Sequence, residues 1–102
     1  MTKLKSLENK VVWITGASSG LGKALARECA LQGAQVVLTS RRYDELEAVR
    51  IGLLKPEQHL SIAADITNEA QIRDAHEKVL ACKGRIVWLI NNAGLSRRAL
   101  IQ

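Results

Sequence analysis

Short apolar runs alternate with longer amphipathic segments along the chain, and no repeat of fixed period is present. The clearest run is Val11-Val12-Trp13-Ile14-Thr15, which contains only β-branched and aromatic residues and ends at Gly16. Continuous runs of this kind are typical of parallel strands that are buried on both faces. The pattern predicts strands over residues 11–15, 35–39, 60–65 and 86–90.

The segments between these strands carry apolar residues at helical spacing. In the first of them, Leu21, Leu25 and Cys29 recur along one face, and Gly33 follows at a position where helices commonly end. The second helix has to end before Pro56, because the residue that precedes a proline avoids helical angles. The spacing predicts helices over residues 21–32, from about Tyr43 to before Pro56, and from a cap at Thr67 or Asn68 to about Lys83-Gly84.

Alternating strands and helices with short connections indicate a parallel sheet with right-handed crossovers, so the predicted fold class is α/β. A chain of 102 residues that is 47% hydrophobic and 25% charged has room for one ordinary globular domain. Its longest apolar run, residues 86–90, is far shorter than the roughly 20 residues of a membrane-spanning helix. The first ten residues interleave charges with single leucines, unlike a secretory signal. We therefore expect a cytoplasmic protein without a membrane span.

The charged residues and the cysteines limit the kinds of ligand and of structural site that the chain could have. Fifteen basic against ten acidic side chains give a net charge of +5, which suits nucleic acid or a phosphorylated ligand. Nucleic acid is disfavoured, because the basic residues are dispersed and two tryptophans and one tyrosine offer little stacking surface. Cys29 and Cys82 form no Cys-x-x-Cys pair, so neither a disulfide framework nor a zinc site is indicated.

A glycine-rich turn lies between the first predicted strand and the first predicted helix, and it reads Thr15-Gly16-Ala17-Ser18-Ser19-Gly20-Leu21-Gly22. Its glycines allow a tight turn, a close approach to a ligand and packing of the helix against the sheet. The free amides and the dipole of a helix that begins near Leu21 favour negative charge, and hence a phosphate. The turn therefore predicts nucleotide binding, with a loop that holds no ligand as the alternative.

Two common phosphate-binding motifs share letters with this turn but do not match it. A P-loop would need glycine where Ala17 stands and serine or threonine where Ala24 stands. The GxGxxG turn would need glycine at Leu25. Neither motif therefore describes the turn.

A third motif, the GxSxG nucleophile elbow of α/β-hydrolases, does match, with Ser18 as the nucleophile. A catalytic triad would also require an acid and a histidine, for which the chain offers Asp65 or Asp74 and His59 or His76. Both histidines are interpreted more simply as surface residues, because His76 lies on an amphipathic helix and His59 directly precedes a strand. A hydrolase is kept as a further alternative.

Two more motifs follow the turn. Asp65-Ile66 comes after the third predicted strand, and Asn91-Asn92-Ala93-Gly94 comes after the fourth. In this order and at this spacing, the chain resembles the short-chain dehydrogenase/reductase family of the TGxxxGxG and NNAG kind, over essentially its whole length. The resemblance implies a Rossmann-like three-layer fold with a partial parallel sheet of four strands in the order 3-2-1-4. It also implies hydride transfer between a nicotinamide cofactor and an alcohol or carbonyl substrate.

The resemblance assigns roles to individual residues. The pyrophosphate and the adjoining ribose would be held by the backbone around Gly16, Ser18, Ser19, Gly20 and Leu21. Asp65 would accept a hydrogen bond from the adenine amino group, and Ile66 would pack on the ring. Asn91 would tie the central strands together, and the adenine-ribose floor would be lined by Asn92, Ala93 and Gly94. The alternatives are a helix-capping role for Asp65 and a polar strand end for the paired asparagines.

The residues about twenty positions after the glycine turn bear on the choice of cofactor. A site that prefers NAD presents an acid there to bind the ribose 2′-hydroxyl, whereas this chain has Ser40-Arg41-Arg42 and no carboxylate before Asp44. Guanidinium groups attract a 2′-phosphate and match its oxygens with charge-assisted hydrogen bonds. We therefore expect NADP(H) rather than NAD(H). Arg41 is favoured because it is nearer the strand end, and Arg42 has the alternative of a solvated residue at the helix start.

The resemblance places the catalytic residues downstream of the NNAG motif. Hydride transfer in the family depends on a serine and a Tyr-x-x-x-Lys pair, in which the tyrosine is the general acid and base. The one tyrosine here, Tyr43, is followed four residues later by Glu47, and the chain ends at Gln102. We expect residues 1–102 to form the amino-terminal dinucleotide-binding half of a Rossmann-type oxidoreductase domain, without a second domain, and to be inactive alone.

The implied sheet order leaves the fourth strand at an uncovered edge. An apolar edge with unpaired amides and carbonyls recruits another chain. We therefore expect self-association through residues 86–91. The alternative function that this edge allows is a non-catalytic assembly module built on the same half-Rossmann fold.

Overall fold

The secondary structure follows the predicted alternation. The computed structural model describes residues 6–18, 20–86, 88–92 and 100–101. In chain order, its elements are β1 (Val11–Thr15), α1 (Gly20–Leu31), β2 (Gln35–Ser40), α2 (Tyr43–Arg50), a 3-10 helix (Pro56–Gln58), β3 (Leu60–Ala63), α3 (Glu69–Lys83), β4 (Trp88–Asn91) and β5 (Leu100–Ile101).

The strands form one sheet in the order β3-β2-β1-β4-β5. The first four strands run parallel, with β1 paired to both β2 and β4. This confirms the predicted Rossmann-like α/β fold and the order 3-2-1-4. The carboxyl ends of the central strands are level, because Thr15 is in register with both Thr39 and Asn91. The segments that follow β1, β2, β3 and β4 therefore emerge at the same edge of the sheet.

The fifth strand was not predicted and changes the expected edge. β5 pairs antiparallel with β4, with Ile90 opposite Ile101 and Asn91 opposite Leu100. The expectation that the whole of the fourth strand is an uncovered edge is therefore wrong at Ile90 and Asn91. A two-residue strand has no periodicity, so the sequence pattern could not reveal it. At the amino end of β4, Trp88 is 38% exposed.

Helices cover both faces of the sheet, which gives three layers. On one face, α1 and α2 pack on strand residues through a buried cluster that includes Val12, Ile14, Val36, Leu38, Ala26, Cys29, Leu46 and Val49. On the other face, α3 packs through a second cluster that includes Val11, Trp13, Val37, Ile62, Ala75 and Val79. Successive strand side chains point to opposite faces, so burial on both sides explains the unbroken apolar run of β1.

The helix ends show where local signals hold and where they do not. Asn68 caps α3 by accepting a hydrogen bond from the Gln71 N–H at 3.1 Å, and Gly84 ends the helix in the left-handed conformation with φ of 83°. α2 ends at Arg50, earlier than predicted. The Arg50 guanidinium donates to Glu47 within the helix and to the carbonyl of Pro56, six residues further along the chain, which ties the end of the helix to the turn that follows it. Within the described residues, none of the helices combines the length and the apolar character needed to cross a bilayer.

Candidate functional site

A cleft of about 370 Å³ opens where the segments after β1, β2 and β3 emerge from the sheet. Among the described residues, it is lined by Gly16, Ser18, Ser40, Arg41, Arg42, Glu45, Ala64, Asp65, Ile66 and Thr67. The glycine-rich turn, the arginine pair and the Asp65-Ile66 pair are far apart in the sequence. They meet in this cleft because the parallel register places the ends of their strands side by side.

The remaining predicted site residues lie beside the cleft or outside the described residues. Gly20 and Leu21 form the first turn of α1, and the Leu21 side chain is 59% exposed. Asn92, the residue after β4, contacts the glycine-rich turn, as described below. The predicted site residues Ser19, Ala93 and Gly94 lie outside the described residues. Four lining residues were not predicted as site residues, namely Ser40, Glu45, Ala64 and Thr67.

The three glycines of the turn serve two different structural purposes. Gly16 and Gly20 adopt positive φ angles of 65° and 58°, a region that other residues rarely enter. Gly22 is needed for close packing, since an added Cβ would lie 2.1 Å from the Gly16 carbonyl oxygen. The Ala17 N–H donates to the Thr39 carbonyl at 3.3 Å, which ties the turn to β2. The turn is therefore held against both the helix and the sheet.

A polar cluster joins the turn to the end of β4. The Thr15 hydroxyl donates to Asn91 Oδ1 at 2.8 Å and accepts from the Asn92 N–H at 3.2 Å. Asn92 Nδ2 donates to the Gly16 carbonyl at 3.3 Å. Thr15 is 4% exposed, so these bonds lie mostly out of water. Asn91 thus ties the two central strands together, as the resemblance implies.

Asp65 lies where the chain leaves β3. Its Oδ1 accepts from the Thr67 N–H at 2.9 Å and from the Thr67 hydroxyl at 2.7 Å. These bonds, together with the positive charge of Arg41, hold the pKa of Asp65 below its usual value, so the carboxylate stays ionised. The helix cap of α3 is Asn68 and not Asp65. Both hydrogen bonds from Thr67 are accepted by Oδ1, so the oxygen that would accept a hydrogen bond from a ligand is Oδ2.

The two arginines after β2 differ in their surroundings. Arg42 is the residue that precedes α2, and its backbone N–H donates to Ser40 Oγ at 3.3 Å. Its Nε lies 3.9 Å from Oε2 of Glu45, and both side chains are more than half exposed. Arg41 acts electrostatically on Asp65 across the cleft. The cleft therefore has a cationic wall that consists of Arg41 and Arg42.

Comparison with known proteins decides the family. Residues 10–102 match the family model described as short chain dehydrogenase. The chain belongs to this family. The resemblance seen in its motifs is thereby confirmed.

Individual relatives show how much of such a protein this chain represents. Dehydrogenase/reductase SDR family member 7 of Homo sapiens is 41% identical over 99 residues, which cover 92% of this chain and 29% of that protein. A metagenomic short-chain oxidoreductase in complex with NADP superposes with a TM-score of 0.81 at 40% identity, over 88% of this chain and 41% of that chain. The 3-ketoacyl-(acyl-carrier-protein) reductase of Brucella melitensis complexed with NADH gives 0.77 at 39% identity, over 82% and 34%.

The histidines do not support the hydrolase alternative in this member of the short chain dehydrogenase family. Among the residues that the structure describes, neither His59 nor His76 lines the cleft that contains Ser18. The expectation that His59 is a surface residue is wrong, since it is only 6% exposed. Its Nδ1 accepts from the Val36 N–H at 3.0 Å, and its Nε2 lies 2.7 Å from the Leu54 carbonyl oxygen. Burial lowers its pKa, so the neutral ring is a structural bridge.

A second groove, of about 430 Å³, lies on the side of the sheet that α3 covers. Trp13 and Leu89 contribute from the sheet, and Ile72 and His76 contribute from α3. The Trp13 and His76 rings have centroids 6.1 Å apart, and Trp13 Nε1 donates to Thr39 Oγ1 at 2.8 Å. Ile66 lines both this groove and the cleft, and therefore forms a wall between them.

Proposed function

We propose that this chain binds the adenosine and phosphate portion of NADP(H) within a short-chain oxidoreductase that transfers hydride to or from an alcohol or carbonyl group. The observation that carries the proposal is the cleft, which brings the glycine-rich turn, Arg41 and Asp65 together. The nicotinamide cofactor, when bound, supplies or accepts the hydride. The residues of this chain serve binding and orientation, and none of them is assigned to the hydride step.

The start of α1 fits a pyrophosphate. A Cβ added at Gly20 would meet nothing within 4 Å, so the turn is open on that side. The first turn of α1 contains no acidic residue, whereas α2 begins with Asp44 and Glu45 and α3 begins with Glu69. An anion at the amino end of α1 is stabilised by the helix dipole and by the first backbone amides. The proposed contacts to the pyrophosphate and the adjoining ribose come from the backbone around Gly16, Ser18, Ser19, Gly20 and Leu21.

The other walls of the cleft fit the adenosine and a 2′-phosphate. Arg41 and Arg42 provide guanidinium groups for the phosphate, with Arg41 favoured because Arg42 lies beside Glu45. Asp65 is proposed to accept a hydrogen bond from the adenine amino group, and Ile66 is proposed to pack on the ring. The floor of the site is proposed to consist of Asn92, Ala93 and Gly94.

Titration calorimetry of NADP+ and NAD+ into the chain tests the proposal. We expect the chain to bind NADP+ more tightly, and we expect Arg41→Gln to weaken NADP+ binding by about tenfold while NAD+ changes little, because a hydrogen bond to a charged group contributes about 1.5 kcal/mol or more. Arg27→Gln, an exposed arginine of α1, is the matched control. Equal or tighter binding of NAD+, or the same loss in both variants, would refute the choice of NADP(H).

Self-association is a second, separate proposal, limited to the part of residues 86–91 that β5 does not pair, and the exposure of Trp88 at the amino end of β4 supports it. An assembly module that holds no nucleotide would combine this self-association with an unoccupied turn. Sedimentation over micromolar concentrations tests the contact, since a monomer throughout contradicts it. The calorimetry described above separates the assembly module from the cofactor-binding chain.

A further inference from the structure

The cationic wall of the cleft is interrupted by a carboxylate. Glu45 lies on the first turn of α2 and lines the same cleft as Arg41 and Arg42. Its Oε2 is 3.9 Å from Nε of Arg42, and the two side chains are 52% and 77% exposed. An exposed ion pair at this distance is weak, so it does not hold Arg42 in one geometry. The carboxylate therefore contributes mainly its charge to the cleft.

We propose that Glu45 is a specificity-determining residue that weakens the binding of a 2′-phosphate and so moderates the preference for NADP(H) over NAD(H). The inference rests on the proposed function, because it concerns the same site. A phosphate monoester carries a charge of about −1.5 to −2 at pH 7. Glu45 repels this charge and competes with it for Arg42. The 2′-hydroxyl of NAD(H) is uncharged, so the same carboxylate does not repel it.

Two other carboxylates of the region have different positions. Asp65 lines the cleft, but its Oδ1 is engaged by Thr67 where the chain leaves β3. Asp44 lies on the same helical turn as Glu45 and is not among the residues that line the cleft. Asp44 and Glu45 interact in the same way with the dipole at the start of α2, so neutralising either one has a similar small effect on the helix. Variants at Glu45 and Asp44 therefore distinguish the effect of a charge that lines the cleft from the effect of a charge that lies beside it.

Glu45→Gln and Asp44→Asn, compared by calorimetry, test the inference on the whole chain. The probes are adenosine 2′,5′-bisphosphate, which carries the 2′-phosphate, and 5′-AMP, which lacks it. We expect Glu45→Gln to tighten binding of the bisphosphate by about fivefold at low salt, about the size of one interaction between two unit charges at close range in water. The gain should shrink as salt is raised, because an exposed charge is screened. Binding of 5′-AMP should change less than twofold in either variant, and Asp44→Asn should alter the binding of the bisphosphate less than twofold.

The outcomes distinguish the inference from the function on which it rests. Unchanged or weaker binding of the bisphosphate to Glu45→Gln would overturn the role of Glu45 while leaving the cofactor site in place. An equal gain in Asp44→Asn would overturn it also, because the effect would then belong to net charge. A wild-type chain that binds neither probe would overturn the proposed function and the inference together. Thermal unfolding without ligand verifies that both variants are folded.

Discussion

Gly20 and Gly22 stand two residues apart in one turn, yet their surroundings differ. A Cβ added at Gly22 would lie 2.1 Å from the carbonyl oxygen of Gly16 and 2.8 Å from its carbonyl carbon. A Cβ added at Gly20 would meet nothing within 4 Å, although the φ of +58° there strains a side chain. The structure therefore predicts that Gly22 matters for folding, whereas Gly20 matters for the conformation of the turn and for the approach of a phosphate.

The expected loss of stability in Gly22→Ala follows from these distances. The new Cβ would lie 0.9 Å closer to the Gly16 oxygen than the 3.0 Å below which Cβ contacts are essentially never observed, and the Gly16 atoms that it meets belong to the backbone. Overpacking costs about 1–3 kcal/mol where side chains can yield, so we expect about 3 kcal/mol or more here. In a domain of this size, that corresponds to a decrease in Tm of about 12 °C or more. Gly20→Asn should cost about 1 kcal/mol or less, because asparagine tolerates the left-handed region.

Thermal unfolding followed by circular dichroism measures both variants, and calorimetry with NADP+ measures binding. We expect Gly22→Ala to unfold at a much lower temperature and Gly20→Asn to unfold near the wild-type temperature. Gly20→Val should weaken NADP+ binding, because its side chain would occupy the open side of the turn. A Tm of Gly22→Ala within about 3 °C of wild type would refute the packing role of Gly22.

Two further predictions concern buried polar groups. Thr15→Val should lower the free energy of unfolding by about 1–3 kcal/mol, because Asn91 Oδ1 and the Asn92 N–H lose the hydroxyl that they bond. Thr15→Ser keeps a hydroxyl and should largely retain the stability of the wild type. Equal losses for the two variants in urea denaturation would contradict the role of the hydroxyl. Burial lowers the pKa of His59, so the folded state favours the neutral ring. This preference stabilises the fold above the unfolded pKa of about 6.5, and the stabilisation is lost as the pH falls through the lowered pKa. The denaturation midpoint should therefore fall more steeply between pH 7.5 and pH 5 in wild type than in His59→Gln, and parallel pH profiles would count against this.

The sequence predicted the main strands well because burial on both faces imposes a local pattern. β1 has the predicted bounds, and β2 extends one residue further, to Ser40. The cap of α3 at Asn68 and its end at Gly84 were also readable, since both depend on local hydrogen bonding and on a left-handed residue. The burial of His59 was not readable, because Val36, whose N–H donates to the ring, lies 23 positions away in the sequence.

The candidate site divides in the same way. The sequence by itself determined the residue types that suit a dinucleotide: glycines at a strand-to-helix turn, arginines after the second strand, and an acid with an aliphatic residue after the third. Only the tertiary structure decided that Arg41 and Asp65, 24 positions apart, face one cleft, and that Glu45 shares it. It also decided that β5 pairs with the end of β4 and that Thr15 joins the turn to Asn91. The physical reason is that strand patterns and caps depend on near neighbours, whereas proximity between segments depends on parallel register and on long-range contacts.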